Sequence, residues 1–114
     1  MDSLAIINKT YQLYKIAADI GSHAERQYRF TVCERAERNV LALLEELIVA
    51  KNAPKPLKAG ALLRASARQE ICVLQFRLML ELDAANETKI SQAQARLAEV
   101  GRMLGGWLKS SYPS

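Results

Sequence analysis

Histidine, cysteine and proline are scarce in this chain of 114 residues, and each scarcity closes off a class of function. One histidine, His23, and two cysteines, Cys33 and Cys72, fall short of the four closely grouped ligands that a structural zinc site requires. No nucleophile stands in a pattern with a base, and no Glu-x-x-His motif marks a di-iron bundle. The chain is therefore expected to be no enzyme and to need neither metal nor cofactor. Cys33 and Cys72 fall mid-helix, as small core-filling thiols do, and His23 falls in a turn as a solvated residue. No apolar run approaches the ~20 residues that cross a bilayer. The N-terminus lacks the basic start and unbroken apolar stretch of a signal peptide. A soluble, cytoplasmic protein without a membrane partner is the expectation.

What is present is globular in composition, with 50% apolar and 25% charged residues. The length suits one domain, 1–114, whose single core is small enough to gain from oligomerisation. Three prolines occur, Pro54, Pro56 and Pro113, and none interrupts a periodic segment. Leu4, Ile7, Tyr11, Tyr14 and Ala18 share one helical face over residues 3–20, beside Ile6, Leu13, Ala17 and Ile20. Gly21 is expected to end this helix, and Ser22 with Glu25 to open the next as a capping box. Val32, Ala36, Val40, Leu43, Leu44, Leu47 and Ile48 carry the second helix to about Asn52, where Pro54 and Pro56 break it. A third helix is expected from Leu57 to about Ala85, and a fourth from a Ser91–Gln94 capping box. Short connections favour antiparallel neighbours. The reading is all-α, an up-down-up-down antiparallel four-helix bundle.

The third helix carries more apolar surface than one core can use. Glu70, Arg77 and Glu81 form a narrow charged strip, while Ile71, Cys72, Val73, Leu74, Phe76, Leu78, Met79, Leu80 and Leu82 take most of the remaining circumference. A surface helix of a monomeric bundle needs an apolar arc only somewhat wider than ~100°. Part of the excess, with Phe76, Met79 and Leu80 as candidates, is expected against another subunit. The fourth helix ends in Gly101, Gly105 and Gly106 beside Trp107. Each mid-helix glycine costs about 1 kcal/mol against alanine. Two explanations stand: close packing of a neighbouring helix or of the Trp107 ring, or a left-handed cap at Gly105 or Gly106.

Charge is segregated along the chain, whose net charge is +4. No acid lies between Glu46 and Glu70, while Lys51, Lys55, Lys58, Arg64 and Arg68 fall there. Arg26, Arg29, Arg35 and Arg38 form a second basic group, partly offset by Glu34 and Glu37. Such clustering is either an ordinary solvated surface or the footprint of a nucleic-acid binder. No RNA-recognition signature, zinc finger or phosphate loop is present, so binding would be backbone-directed and weakly sequence-specific.

The run Ala98 to Leu108, with its Gly-Arg-Met-Leu-Gly-Gly-Trp centre, resembles the end of the accessory variability determinant (Avd) proteins of diversity-generating retroelements. Ile6 to Tyr14 and Leu43 to Ala50 resemble the same family more weakly. His23-Ala24-Glu25-Arg26 replaces the Pro-Arg pair that many members carry before the second helix. The resemblance implies a four-helix bundle assembling as a homopentameric barrel. It also implies a basic surface for RNA or DNA, a reverse transcriptase as partner, and a part in mutagenic copying of a template RNA into a variable gene. It implies, too, a helix that continues through the glycines. A related alternative is the four-helix-bundle protein encoded in intervening sequences of 23S rRNA genes.

Overall fold

The computed structural model describes residues 3–112, so Pro113 lies outside the described residues. Five helices and one π-helical segment follow in order: α1 (Ser3–Ser22), α2 (Arg26–Tyr28), the π segment Arg29–Cys33, α3 (Glu34–Asn52), α4 (Lys55–Glu81) and α5 (Glu87–Ser111). The backbone stays right-handed helical across the junctions at Tyr28, Arg29, Cys33 and Glu34, so α2, the π segment and α3 form one rod. The architecture is all-α with four helical rods, and among the described residues no strand forms.

Partners along α3–α4 and along α1–α5 run in opposite directions. On α4, Lys58 reaches Ala50, Arg64 reaches Glu46 and Arg68 reaches Asn39 of α3. Between α1 and α5, Lys9 meets Glu99 at 2.7 Å and Asp19 meets Lys89 at 2.6 Å. Rod α1 also packs on α3, and α4 on α5, closing a four-sided bundle of 48 × 20 × 20 Å.

Each rod contributes one buried stripe. Ile6, Leu13 and Ile20 of α1, Val40, Leu43 and Leu47 of α3, Leu62, Phe76 and Met79 of α4, and Ile90, Leu97 and Leu104 of α5 are all buried in one core. Thr10 is buried without penalty because its hydroxyl donates to the Ile6 carbonyl at 2.8 Å. Cys33 and Cys72 are buried free thiols. Burial pushes the Cys72 thiol up to about 12, which keeps it protonated and unreactive.

Helix boundaries depart from the sequence reading in four places. Gly21 stays inside α1, which runs to Ser22. The Ser22 hydroxyl donates back to the Asp19 carbonyl, and α2 opens on Glu25 with no side-chain cap. The Ser22–Glu25 capping box is therefore absent. Helix α4 stops at Glu81 because Asp83 turns left-handed, at φ 52°. There the Ala84 amide donates to Met79 and the Asp83 amide to Leu80, a Schellman closure sealed by the buried Ala84 and Met79 side chains. Helix α5 starts earlier than Ser91, at Glu87, since the Asn86 side chain accepts from the Lys89 amide at 2.9 Å. Pro54 and Pro56 sit at the opening of α4, where a missing amide costs nothing.

The π segment corrects a slip in apolar phase. Tyr28, Val32, Ala36 and Val40 recur every four residues, and Tyr28, Val32, Ala36 and Val40 all contact or belong to the core. At ~100° per residue, three such steps overshoot three α turns by about one residue. One wider turn absorbs the overshoot and leaves Arg29, Phe30 and Thr31 facing solvent.

Candidate nucleic-acid interface

Antiparallel pairing of α3 and α4 merges basic residues that lie far apart in sequence. Arg35 and Arg38 on α3 and Arg68 on α4 border one shallow groove of about 320 Å³, with Asn39, Ala42, Ile71 and Gln75. A second depression of about 230 Å³ continues it, sharing Arg68 and Ile71 and adding Glu46, Arg64 and Ala67. The result is a cationic seam along the bundle.

The nine basic candidates are not equivalent within it. Asn39 is buried and spends both ends of its amide: Nδ2 donates to the Arg68 carbonyl and to Cys72 Sγ, and Oδ1 accepts from the Arg68 guanidinium at 3.2 Å. Arg68 is thereby held at the groove edge. Arg64 pairs with Glu46 at 2.9 Å, and Arg38 with Glu34 at 3.0 Å, so both reach a ligand partly neutralised. Lys58 donates to the carbonyls of Ala50 and Lys51 and closes the C-terminus of α3. Its ammonium is a cap. Lys51, Lys55, Arg26 and Arg35 are exposed, and among the described residues no acid pairs with them. Arg29 donates to the Ala24 carbonyl at 3.3 Å. Arg26 and Arg29 lie at the opposite end of their rod from Lys51, roughly 33–38 Å away at ~1.5 Å per residue. The seam joins Arg35, Arg38, Arg64 and Arg68, and places the other five beyond its ends.

The residues proposed for packing divide in the same way. Phe76 and Met79 lie in the chain's own core, Leu80 packs partly against it, and Trp107 is only 6% exposed. The apolar surplus of α4 lies instead on Leu63, Ile71, Leu74, Leu78 and Leu82, all exposed. With Ala67 they recur at three- and four-residue steps, a stripe facing away from the core. Helix α5 continues through Gly101, Gly105 and Gly106 to Ser111, and among the described residues no glycine adopts positive φ, so the left-handed cap is absent. A Cβ on Gly101 would stand 2.6 Å from Gln69 Nε2, whose amide donates to the Leu97 carbonyl. A Cβ on Gly105 would meet nothing within 4 Å, so its own chain gives that position no packing partner.

Sequence reasoning missed Asn39, Gln75 and Phe30. Asn39 could have been found as an amide beside Val40 on the edge of the buried stripe. The four-residue recurrence of Tyr28, Val32 and Ala36 was the available sign that the register, and with it Phe30, shifts. Among the described residues no three of His, Cys, Asp and Glu group together as metal ligands would, and no helix is long and apolar enough to cross a membrane.

Four antiparallel rods, with one polar seam and one apolar stripe that the core leaves unused, define a small all-α protein with two outward surfaces. The chain belongs to the bAvd-like family, whose model matches residues 4–111. No curated protein and no solved structure matches it.

Proposed function

We propose that the chain is a noncatalytic accessory protein of a diversity-generating retroelement, acting in the cytoplasm. It assembles as a homo-oligomer, a pentamer by family resemblance, binds RNA or DNA through the α3–α4 seam, and engages the reverse transcriptase during mutagenic copying. The observation that carries this reading is the convergence of Arg35, Arg38, Arg64 and Arg68 on one groove. Family membership and the exposed stripe of α4 support the assembly. Repetition around a ring multiplies the phosphate contacts, and each neutralised phosphate releases counterions.

Gel-shift titration at stepped salt concentrations tests the reading. RNA and DNA are expected to bind with little base preference and with affinity falling steeply as salt rises. Changing Arg35, Arg38, Arg64 and Arg68 together to Glu is expected to abolish the shift and to leave the oligomer intact. Unchanged binding by a folded variant would reduce the seam to a solvated surface.

A further inference from the structure

The outer stripe of α4, from Leu63 to Leu82, is a row of large apolar side chains that the described residues leave uncovered. Leu63, Leu74 and Leu78 are 50%, 59% and 43% exposed. The stripe has unlike rims. Arg64 and Arg68 border it on the α3 side, where they bond to Glu46 and Asn39. Glu70, Arg77 and Glu81 border it on the other side, all exposed, and Arg77 is paired with Glu81 at 2.9 Å. Large apolar knobs beside an acidic rim fit a surface that is smooth and cationic.

The outer face of α5 has that chemistry. Ser91, Ala95, Ala98, Arg102, Gly105 and Lys109 follow one another at alternating steps of four and three, and all are exposed. That spacing is how one helix presents a continuous line of contact to another. Most of these side chains are small, and Arg102 and Lys109 supply positive charge. Of the acids in α5, Glu99 is turned to Lys9 of α1 and Glu87 stands in the first turn, so the face from Ser91 to Lys109 is cationic. Glycine is the costliest residue inside a helix after proline. Gly105 bears that cost although a Cβ there would meet nothing of its own chain within 4 Å, whereas Gly101 makes room for Gln69. A second helix laid along the face accounts for Gly105. Within one chain the strip of Glu70, Arg77 and Glu81 separates the stripe from α5, so only another copy can bring the two faces together.

We propose that copies of the chain join head to tail, with the α4 stripe of one seated on the small-residue face of α5 in the next and its acidic rim over the cations of that face. The inference rests on the assembly reading above and specifies its interface. Each contact uses one face of each copy and leaves the other free, so addition continues past two subunits until a ring closes. Two variants, altered only at exposed positions, split the interface. Leu74→Glu with Leu78→Glu spoils the stripe, and Ala98→Glu with Gly105→Glu spoils the small-residue face. By light scattering, wild type is expected above two subunits and each variant alone as a helical monomer. Mixed in equal amounts, the variants are expected to form a pair of twice the 12.7 kDa chain mass and to stop there, because one sound contact remains between them. Leu74→Ser and Ala98→Gln, milder changes on the same faces, repeat the test if a glutamate pair costs helical circular dichroism. The interface is overturned if either variant assembles as wild type does, if the mixture stays monomeric, or if wild type stops at two subunits. Wild-type protein that is monomeric at micromolar concentration would instead remove the assembly reading itself and leave the stripe to a different protein.

Discussion

Asp83 holds the α4–α5 turn in a conformation that its side chain resists. At φ 52° its Cβ crowds the following carbonyl, and its carboxylate lies where the carbonyl end of α4 is already negative. Asp83→Gly is expected to stabilise the fold by about 1 kcal/mol, read as a rise of a few degrees in the thermal midpoint. Lys58 and Lys55 make a sharper pair. Lys58→Met strips a charged donor from two helix-end carbonyls and is expected to destabilise by about 1 kcal/mol, while Lys55→Met leaves the denaturation curve in place. Sequence could place both lysines at the turn, yet not tell a cap from a free cation, because the distinction depends on which ammonium reaches back across the turn. Asn39 shows the same limit. Its burial between Arg68 and Cys72 is set by a neighbouring helix, and only its position beside Val40 hints at it.

At the scale of the element, helices were legible from apolar spacing because each rod buries one continuous stripe. Their ends were not. Ser22 and Ser91 stand in plausible capping patterns, but Ser22 bonds back into its own helix and Asn86 wins the cap of α5, since the left-handed turn at Asp83 delivers Asn86 in an extended conformation. The glycines of α5 separate by experiment. Gly105→Ala places a methyl in open space and is expected to gain up to about 1 kcal/mol of helix propensity. Gly101→Ala must displace the Gln69 amide and forfeit its bond to Leu97, so its gain is expected to cancel. Urea titration of the two variants side by side reads the difference. Gly105→Leu tests the other role, and is expected to weaken assembly if a second chain approaches there.

Over the whole molecule, the apolar excess of α4 was legible in its residue count, while the side that carries it was not. Phe76 and Met79 turned inward; Leu74 and Leu78 turned out. Leu74→Glu with Leu78→Glu is expected to yield a folded monomer by light scattering, with helical circular dichroism retained. The tie between α1 and α5 gives the molecule an acid response. Hydrogen bonds from Lys89 and from Lys9 hold the Asp19 and Glu99 carboxyls below their ordinary values of 3.8 and 4.5. A carboxylate that ionises more readily when folded stabilises the chain above its unfolded value and loses that contribution as pH falls. Stability is thus expected to decline as pH drops through about 4.5 and onward. Replacing Lys9 and Lys89 with Met should shrink this part of the decline in a pH series of melting midpoints.

Ile71 belongs to both surfaces, since it floors the groove and lies on the outer stripe of α4. A neighbouring chain seated on the stripe would therefore wall the groove, and a nucleic acid in the groove would touch the neighbour. Two equilibria that share a side chain are thermodynamically reciprocal: whatever factor assembly adds to nucleic-acid affinity, the nucleic acid must return to assembly. Sedimentation of dilute protein with and without RNA should then show the subunits dissociating at a lower concentration when the RNA is present. An Ile71→Ala variant should narrow the gap between the two curves.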